Sequence, residues 1–144
     1  MRDAFIKKEH LVSVFFDLEK AYDTTWKYGI FKDMGDLGLK GRLPNLISSF
    51  LSDRNFQVKM GSTLSSAYKQ EQGVPQGSIL SVTLFNIKIN SIVKCLHPGV
   101  DCSLYVDDFV ICYRSKHMNT IGRQIQQCLN KLHTWSSENG FKFS

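Results

Sequence analysis

The apolar positions change period several times along the chain, and each change predicts an element. A strand-like run, "LVSVFFDLE", begins at Leu11. In "TWKYGIFKDMGDLGL", Trp26, Ile30, Met34 and Leu37 fall at helical spacing, which predicts a short amphipathic helix interrupted by glycines. Pro44 sits where a second helix would start, carrying Leu46, Ile47, Phe50 and Leu51. "FQVKMGSTLSSAYKQEQ" reads as a hairpin with Gly61 and Ser62 near its turn. From Ser78 to about Leu96 a helical stripe of Ile79, Val82, Phe85, Ile89 and Val93 is widened by Leu80, Leu84, Ile87, Ile92 and Leu96. A helix apolar nearly all round is expected to be buried. A second hairpin, "SLYVDDFVICY", follows, and then Met118, Ile121, Ile125, Cys128, Leu132 and Trp135 recur at three and four residues, with Gly140 where a C-terminal cap belongs. The order predicts an α+β fold with helices on one face of an antiparallel sheet.

With 144 residues the chain suffices for one domain with a core. A formal net charge of +5 suits a polyanionic partner without requiring one. Cys95, Cys102, Cys112 and Cys128 show no C-x-x-C pair and no histidine at zinc spacing, so buried free thiols and a reducing compartment are expected. No apolar run reaches membrane-spanning length and the N-terminus lacks a signal-peptide core, which points to the nucleus or cytoplasm and away from a membrane.

Asp107 and Asp108 stand side by side inside an apolar run, and Asp17 follows Phe15 and Phe16 directly at the end of another. Adjacent carboxylates repel each other and are costly in an apolar setting. If the two strands lie side by side, Asp17, Asp107 and Asp108 converge at one sheet edge, and a divalent cation such as Mg²⁺, which prefers hard oxygen ligands, would compensate them. The plainer reading, a hairpin turn built on Asp, leaves the absence of Gly or Asn at the tip unexplained. Glu19 and Asp23 read as solvated residues at a strand end. "GVPQGSIL", Gly73 to Leu80, has two readings of equal weight: a glycine loop that brings backbone N–H groups to a phosphate or base, or an ordinary loop with Ser78 as helix cap.

"FFDLEKAYDTTW", "GVPQGSILSVTLFNIKIN" and "LYVDDFVICYRS", in this order, resemble motifs A, B and C of reverse transcriptases, most similar to the jockey-type branch of non-LTR, LINE-like retrotransposons. "NGFKFS" resembles the start of motif D. The resemblance implies a polymerase palm with a ferredoxin-like or RRM-like core, and RNA-directed DNA polymerase activity on an RNA template, a DNA primer and dNTPs. It implies two Mg²⁺ ions, with Mn²⁺ as a possible substitute, on Asp17, Asp107 and Asp108 as catalytic and metal residues. Tyr22 matches the aromatic beneath the sugar of the incoming nucleotide, where its ring would exclude a 2′-hydroxyl; without the family it would be a core aromatic. Gln76 and Gly77 match positions lining the nucleotide and template pocket.

Residues 1–144 are expected to form a single palm, partial because the fingers sequence that precedes motif A and the thumb have no counterpart. Lys7 and Lys8 are too few to replace the basic fingers. The alternative is a catalytically silent retrotransposon-derived fragment, at most a weak nucleic-acid-binding module. An RNA-dependent RNA polymerase shares the two-metal palm, but Tyr22 and YVDD disfavour it.

Overall fold

The computed structural model describes residues 2–144, so Met1 lies outside the described residues. Two compact units emerge: one holds the chain up to Ala21 together with Ile89–Ser144, the other is Tyr22–Lys88.

The first unit is a three-stranded antiparallel sheet backed by a long helix. After a short helix α1 (Arg2–Ile6), β1 (His10–Phe16) pairs with β7 (Asp108–Ser115), which also pairs with β6 (Asp101–Tyr105), giving the order β1-β7-β6. Alternation along β7 turns Phe109 and Ile111 inward, where both are fully buried. Helix α6 (Met118–Asn139) packs on β7 and buries Ile121, Ile125, Cys128, Leu132 and Trp135 of the stripe predicted from spacing, while Met118 at its first turn is exposed. Full burial of one such side chain contributes roughly 1.5–3 kcal/mol. Trp135 also stacks on Phe141 at 5.4 Å and donates its indole N–H to the Ser91 hydroxyl at 2.9 Å. Gly140 ends the helix in the left-handed conformation (φ 72°), as its position predicts.

The second unit packs α3 (Lys27–Asp36) and α4 (Arg42–Leu51) around Ile30, Met34, Ile47 and Leu51, joined by Val74 and Leu84. A one-turn helix α2 (Ala21–Thr24) precedes them. The predicted hairpin forms as two short ladders, β2 (Asn55–Phe56) with β5 (Tyr68–Lys69) and β3 (Lys59–Met60) with β4 (Thr63–Leu64).

Two expectations are corrected. The helix predicted from Ser78 to Leu96 is α5 (Ile79–Ile89) followed by a 3-10 helix, Asn90–Cys95, and it is not buried all round. Ser81, Leu84, Phe85, Lys88, Ile89 and Ile92 face inward, while Ile79 and Val82 are exposed. A sequence apolar on nearly every side carries no phase, so spacing alone does not say which face turns in. Cys102 is exposed, unlike Cys95 and Cys128, because β6 is the sheet edge; all four cysteines are free thiols. Among the described residues no helix is long and apolar enough to cross a membrane.

Candidate active site

In the first unit the last β1–β7 pair is Phe16 opposite Phe109, with ring centroids 5.6 Å apart. Asp17 and Asp108 are the next residues outward on each strand. The register therefore brings Asp17 and Asp108, which lie far apart in sequence, to the same end of the sheet. By alternation they lie on the sheet face opposite the Phe16–Phe109 contact.

Asp107 lies in the two-residue turn between Tyr105 and Asp108, which are paired. Val106, the first turn residue, has φ 56°, a region that a β-branched residue enters only under strain. The two-residue turn explains why strand runs right up to both sides of the carboxylate pair. Asp17 and Asp108 are exposed and Asp107 is half-buried. The Ser144 hydroxyl donates to Asp17 Oδ2 at 3.3 Å and the Ser144 N–H to the Asp17 carbonyl at 3.0 Å. Glu19 is exposed and pairs with Lys142 at 2.8 Å.

The three aspartates do not close into a cage: among the described residues no group of three or more His, Cys, Asp or Glu side chains is set to hold a metal ion. The donor set itself, carboxylate oxygens without sulfur or imidazole, fits a hard divalent cation of the Mg²⁺ type.

Sequence reasoning passed over the rest of this sheet face. Phe15 and Tyr105 are each 77% exposed, and with Ser103, Asp108 and Val110 they line an open groove of about 360 Å³. The signal was present in the period-two pattern, since Phe15 shares its face with Asp17 while Phe16 turns inward.

In the second unit the backbone of Tyr22–Thr25 runs beside the Gly73–Val74 loop. The Val74 N–H donates to the Tyr22 carbonyl at 2.8 Å and the Gly73 N–H to the Thr25 carbonyl at 2.9 Å. Tyr22 is half-buried and stacks on Phe85, with centroids 4.8 Å apart and planes at 19°. Gln76 is exposed and donates its amide N–H to Asp23 Oδ1 at 3.3 Å. Asp23 is thus exposed as expected but engaged, a contact that only the loop pairing creates. Gly77 is exposed, with φ 87°. A larger cavity, about 450 Å³, is lined by Lys27, Phe31, Ser48 and Lys69 among others and contains none of the predicted site residues.

Gly73 is required for two reasons. Its φ is 83°, and a Cβ there would lie 2.6 Å from the Asp23 carbonyl oxygen and 2.9 Å from that of Tyr22, both backbone atoms. At Gly77 the φ is similar but a Cβ would meet open space. Gly77→Ala should therefore cost about 1–2 kcal/mol from the left-handed backbone alone. Gly73→Ala should cost clearly more, because the clash separates the two paired segments. Urea unfolding of both variants checks this, and equal losses would mean that the close approach is not needed.

The pattern of the reverse transcriptase (RNA-dependent DNA polymerase) family matches residues 2–144. The chain belongs to that family. It is similar to the RNA-directed DNA polymerase from mobile element jockey of Drosophila funebris, 31% identical over 140 residues that make up 93% of this chain and 15% of that protein. The corresponding jockey protein of Drosophila melanogaster is 27% identical over 140 residues, again 93% of this chain and 15% of the relative. The chain thus spans about 15% of the length of the curated relatives it matches. Its fold resembles that in the structure of telomerase from Candida tropicalis in complex with a fragment of telomeric RNA. There the TM-score is 0.69 at 18% identity, covering 99% of this chain and 26% of that one. A mixed fold of helices and antiparallel sheet of the polymerase type is thereby established, and reverse transcriptase membership implies the use of divalent metal.

Proposed function

We propose that this chain is the palm of an RNA-directed DNA polymerase that extends a DNA primer on an RNA template in retrotransposition, in the nucleus or cytoplasm. The observation that carries the reading is the β1–β7 register, in which Asp17 and Asp108 follow directly on the Phe16–Phe109 pair. In the reaction the primer 3′-oxygen forms a bond to the α-phosphorus of a dNTP, and the bond to the β-phosphate breaks, releasing pyrophosphate. Asp17, Asp107 and Asp108 would hold two Mg²⁺ ions, with Mn²⁺ as a substitute. Such ions lower the pKa of the attacking hydroxyl and neutralise charge on the leaving oxygens. The strained turn at Val106 fixes where Asp107 and Asp108 leave the backbone, and Ser144 restrains Asp17. All of residues 1–144 are assigned to this one palm.

Tyr22, Gln76 and Gly77 are assigned to nucleotide binding. Stacking on Phe85 leaves the Tyr22 ring no easy way to swing aside, which suits a residue that rejects a 2′-hydroxyl. Asp23 holds the Gln76 amide in one orientation. The phosphates of primer and template meet Lys and Arg side chains, so binding should weaken as salt rises.

The test is primer extension on an RNA template, by the chain joined to fingers and thumb sequence on either side, comparing dNTPs with NTPs. Incorporation of dNTPs is expected. Extension with NTPs alone would overturn the reading in favour of an RNA polymerase. Tyr22→Ala should raise ribonucleotide incorporation relative to deoxynucleotide by about 10–100-fold, the range over which a pocket wall discriminates an added hydroxyl. An unchanged ratio would return Tyr22 to a packing role.

A further inference from the structure

The ribbon from Arg54 to Gln70 has a composition and exposure that the polymerase chemistry does not use. It carries Arg54, Lys59 and Lys69 and neither aspartate nor glutamate, although Asp53 and Glu71 flank it. Phe56 and Tyr68 are paired across the ladder with ring centroids 5.9 Å apart, yet they remain 49% and 54% exposed. Val58, Met60 and Leu64 are exposed as well.

Polar bonds fix this shape where apolar packing does not. The Gln57 amide donates to the Ser65 carbonyl at 2.9 Å, and the Val58 N–H to the Ser65 hydroxyl at 2.9 Å. At the base of the ribbon the Lys27 ammonium donates to the carbonyls of Leu51 and Gln70. Burial, then Arg54, then Lys69 hold Lys27 below the usual lysine range, so these cations already act on one another. The Arg54 guanidinium stands 5.7 Å over the Phe50 ring. Two ladders of this length with both aromatic residues about half exposed bury too little to be stable by themselves.

We propose that this ribbon binds single-stranded nucleic acid, with bases stacked on Phe56 and Tyr68, phosphates met by Arg54 and Lys59, and Lys69 adding only its longer-range positive charge. Exposed aromatic faces suit unpaired bases, whose π-surfaces are free, and not a duplex, whose bases are already stacked. The uniform positive charge selects a polyanion over an apolar protein surface. Lys69 lies opposite Asn55, hence on the other side of the ribbon from the rings. Its charge still acts across the ribbon, because screening sets in only over about 8–10 Å at moderate salt. Naming the bound strand as template rests on the polymerase reading; the binding itself does not.

The experiment uses the chain with fluorescein-labelled oligo-rU, oligo-dT and a blunt duplex of equal length, in EDTA and without nucleotide, read by fluorescence anisotropy. The double variant Phe56→Ala, Tyr68→Ala should weaken binding of both single strands by about tenfold or more, with the unfolding midpoint unchanged. Lys59→Gln should reduce the magnitude of the slope of log K against log salt by about 0.7. A preference for rU or for dT would support the proposal and identify the strand. Unaltered single-strand affinity in the aromatic variant would overturn it, as would an equal loss of duplex binding. Sedimentation showing self-association that depends on Phe56 and Tyr68, without oligonucleotide binding, would give the surface to a second copy and overturn the proposal too. Because metal and dNTP are absent, failure here leaves the extension assay standing, and failure of extension leaves this binding standing.

Discussion

Asp107→Asn and Asp108→Asn should each reduce primer extension on the order of a thousandfold, equivalent to about 4 kcal/mol of transition-state stabilisation. Asparagine keeps the size of the side chain and its tolerance of turn geometry, so the β6–β7 hairpin should fold unchanged. What it removes is a negative oxygen at the point where β1 and β7 bring Asp17 and Asp108 into register. Outer-shell partners of a metal cost about 10–100-fold when lost, so the larger loss marks a direct ligand. Glu19→Gln is the matched control. It removes a carboxylate two residues from Asp17, but that group is exposed and paired with Lys142, and extension should stay within about twofold. Single-turnover extension at saturating dNTP measures all three, with circular dichroism to verify the fold. Near-normal extension by Asp107→Asn would remove that residue from the metal site, and a loss in Glu19→Gln equal to that of the aspartate variants would mean that local charge, not ligation, is being read.

The placement of Asp17 and Asp108 at one end of the sheet was legible in the sequence because Asp17 closes one apolar run and Asp108 opens another. Helix α6 was legible for a similar reason: one face alone is apolar, so the spacing of Ile121, Ile125, Cys128, Leu132 and Trp135 fixes both the helix and its orientation. The contact between Gln76 and Asp23 was not. It depends on the Gly73–Val74 backbone pairing with Tyr22–Thr25, a loop-to-loop registration with no periodic signature. Cys102 was misread because edge position is a property of the sheet and not of the strand that carries the residue. Tyr22 and Gln76, proposed for nucleotide binding, are singled out only through family resemblance, since one half-buried tyrosine and one exposed glutamine carry no chemical mark of their own.

Helix α5 shows the same limit and leads to the largest expected effect on stability. Its sequence is apolar on nearly every side, so periodicity could not say which side faces in, and general propensity places a lysine in solvent. Instead Lys88 is 2% exposed, its ammonium 3.1 Å from Asp33 Oδ2 and 5.8 Å from the centroid of the Trp26 ring. Gly29 makes room: a Cβ there would lie 2.7 Å from the Lys88 nitrogen and 2.8 Å from the Trp26 ring. The Asp33 side chain is only 18% exposed, so removing the lysine strands a largely desolvated carboxylate. Lys88→Met, which keeps the length of the chain, should therefore destabilise the fold by about 3–5 kcal/mol, the range for breaking a buried pair from one side. Adding Asp33→Leu to Lys88→Met should recover a substantial part of that loss, because the unpaired charge disappears with its partner. Urea unfolding midpoints of the two variants against the parent decide the matter. A single-variant loss under about 1 kcal/mol would put Lys88 among ordinary surface pairs. A double variant no better than the single would mean that the lysine stem, and not the charge, is what the helix interface needs.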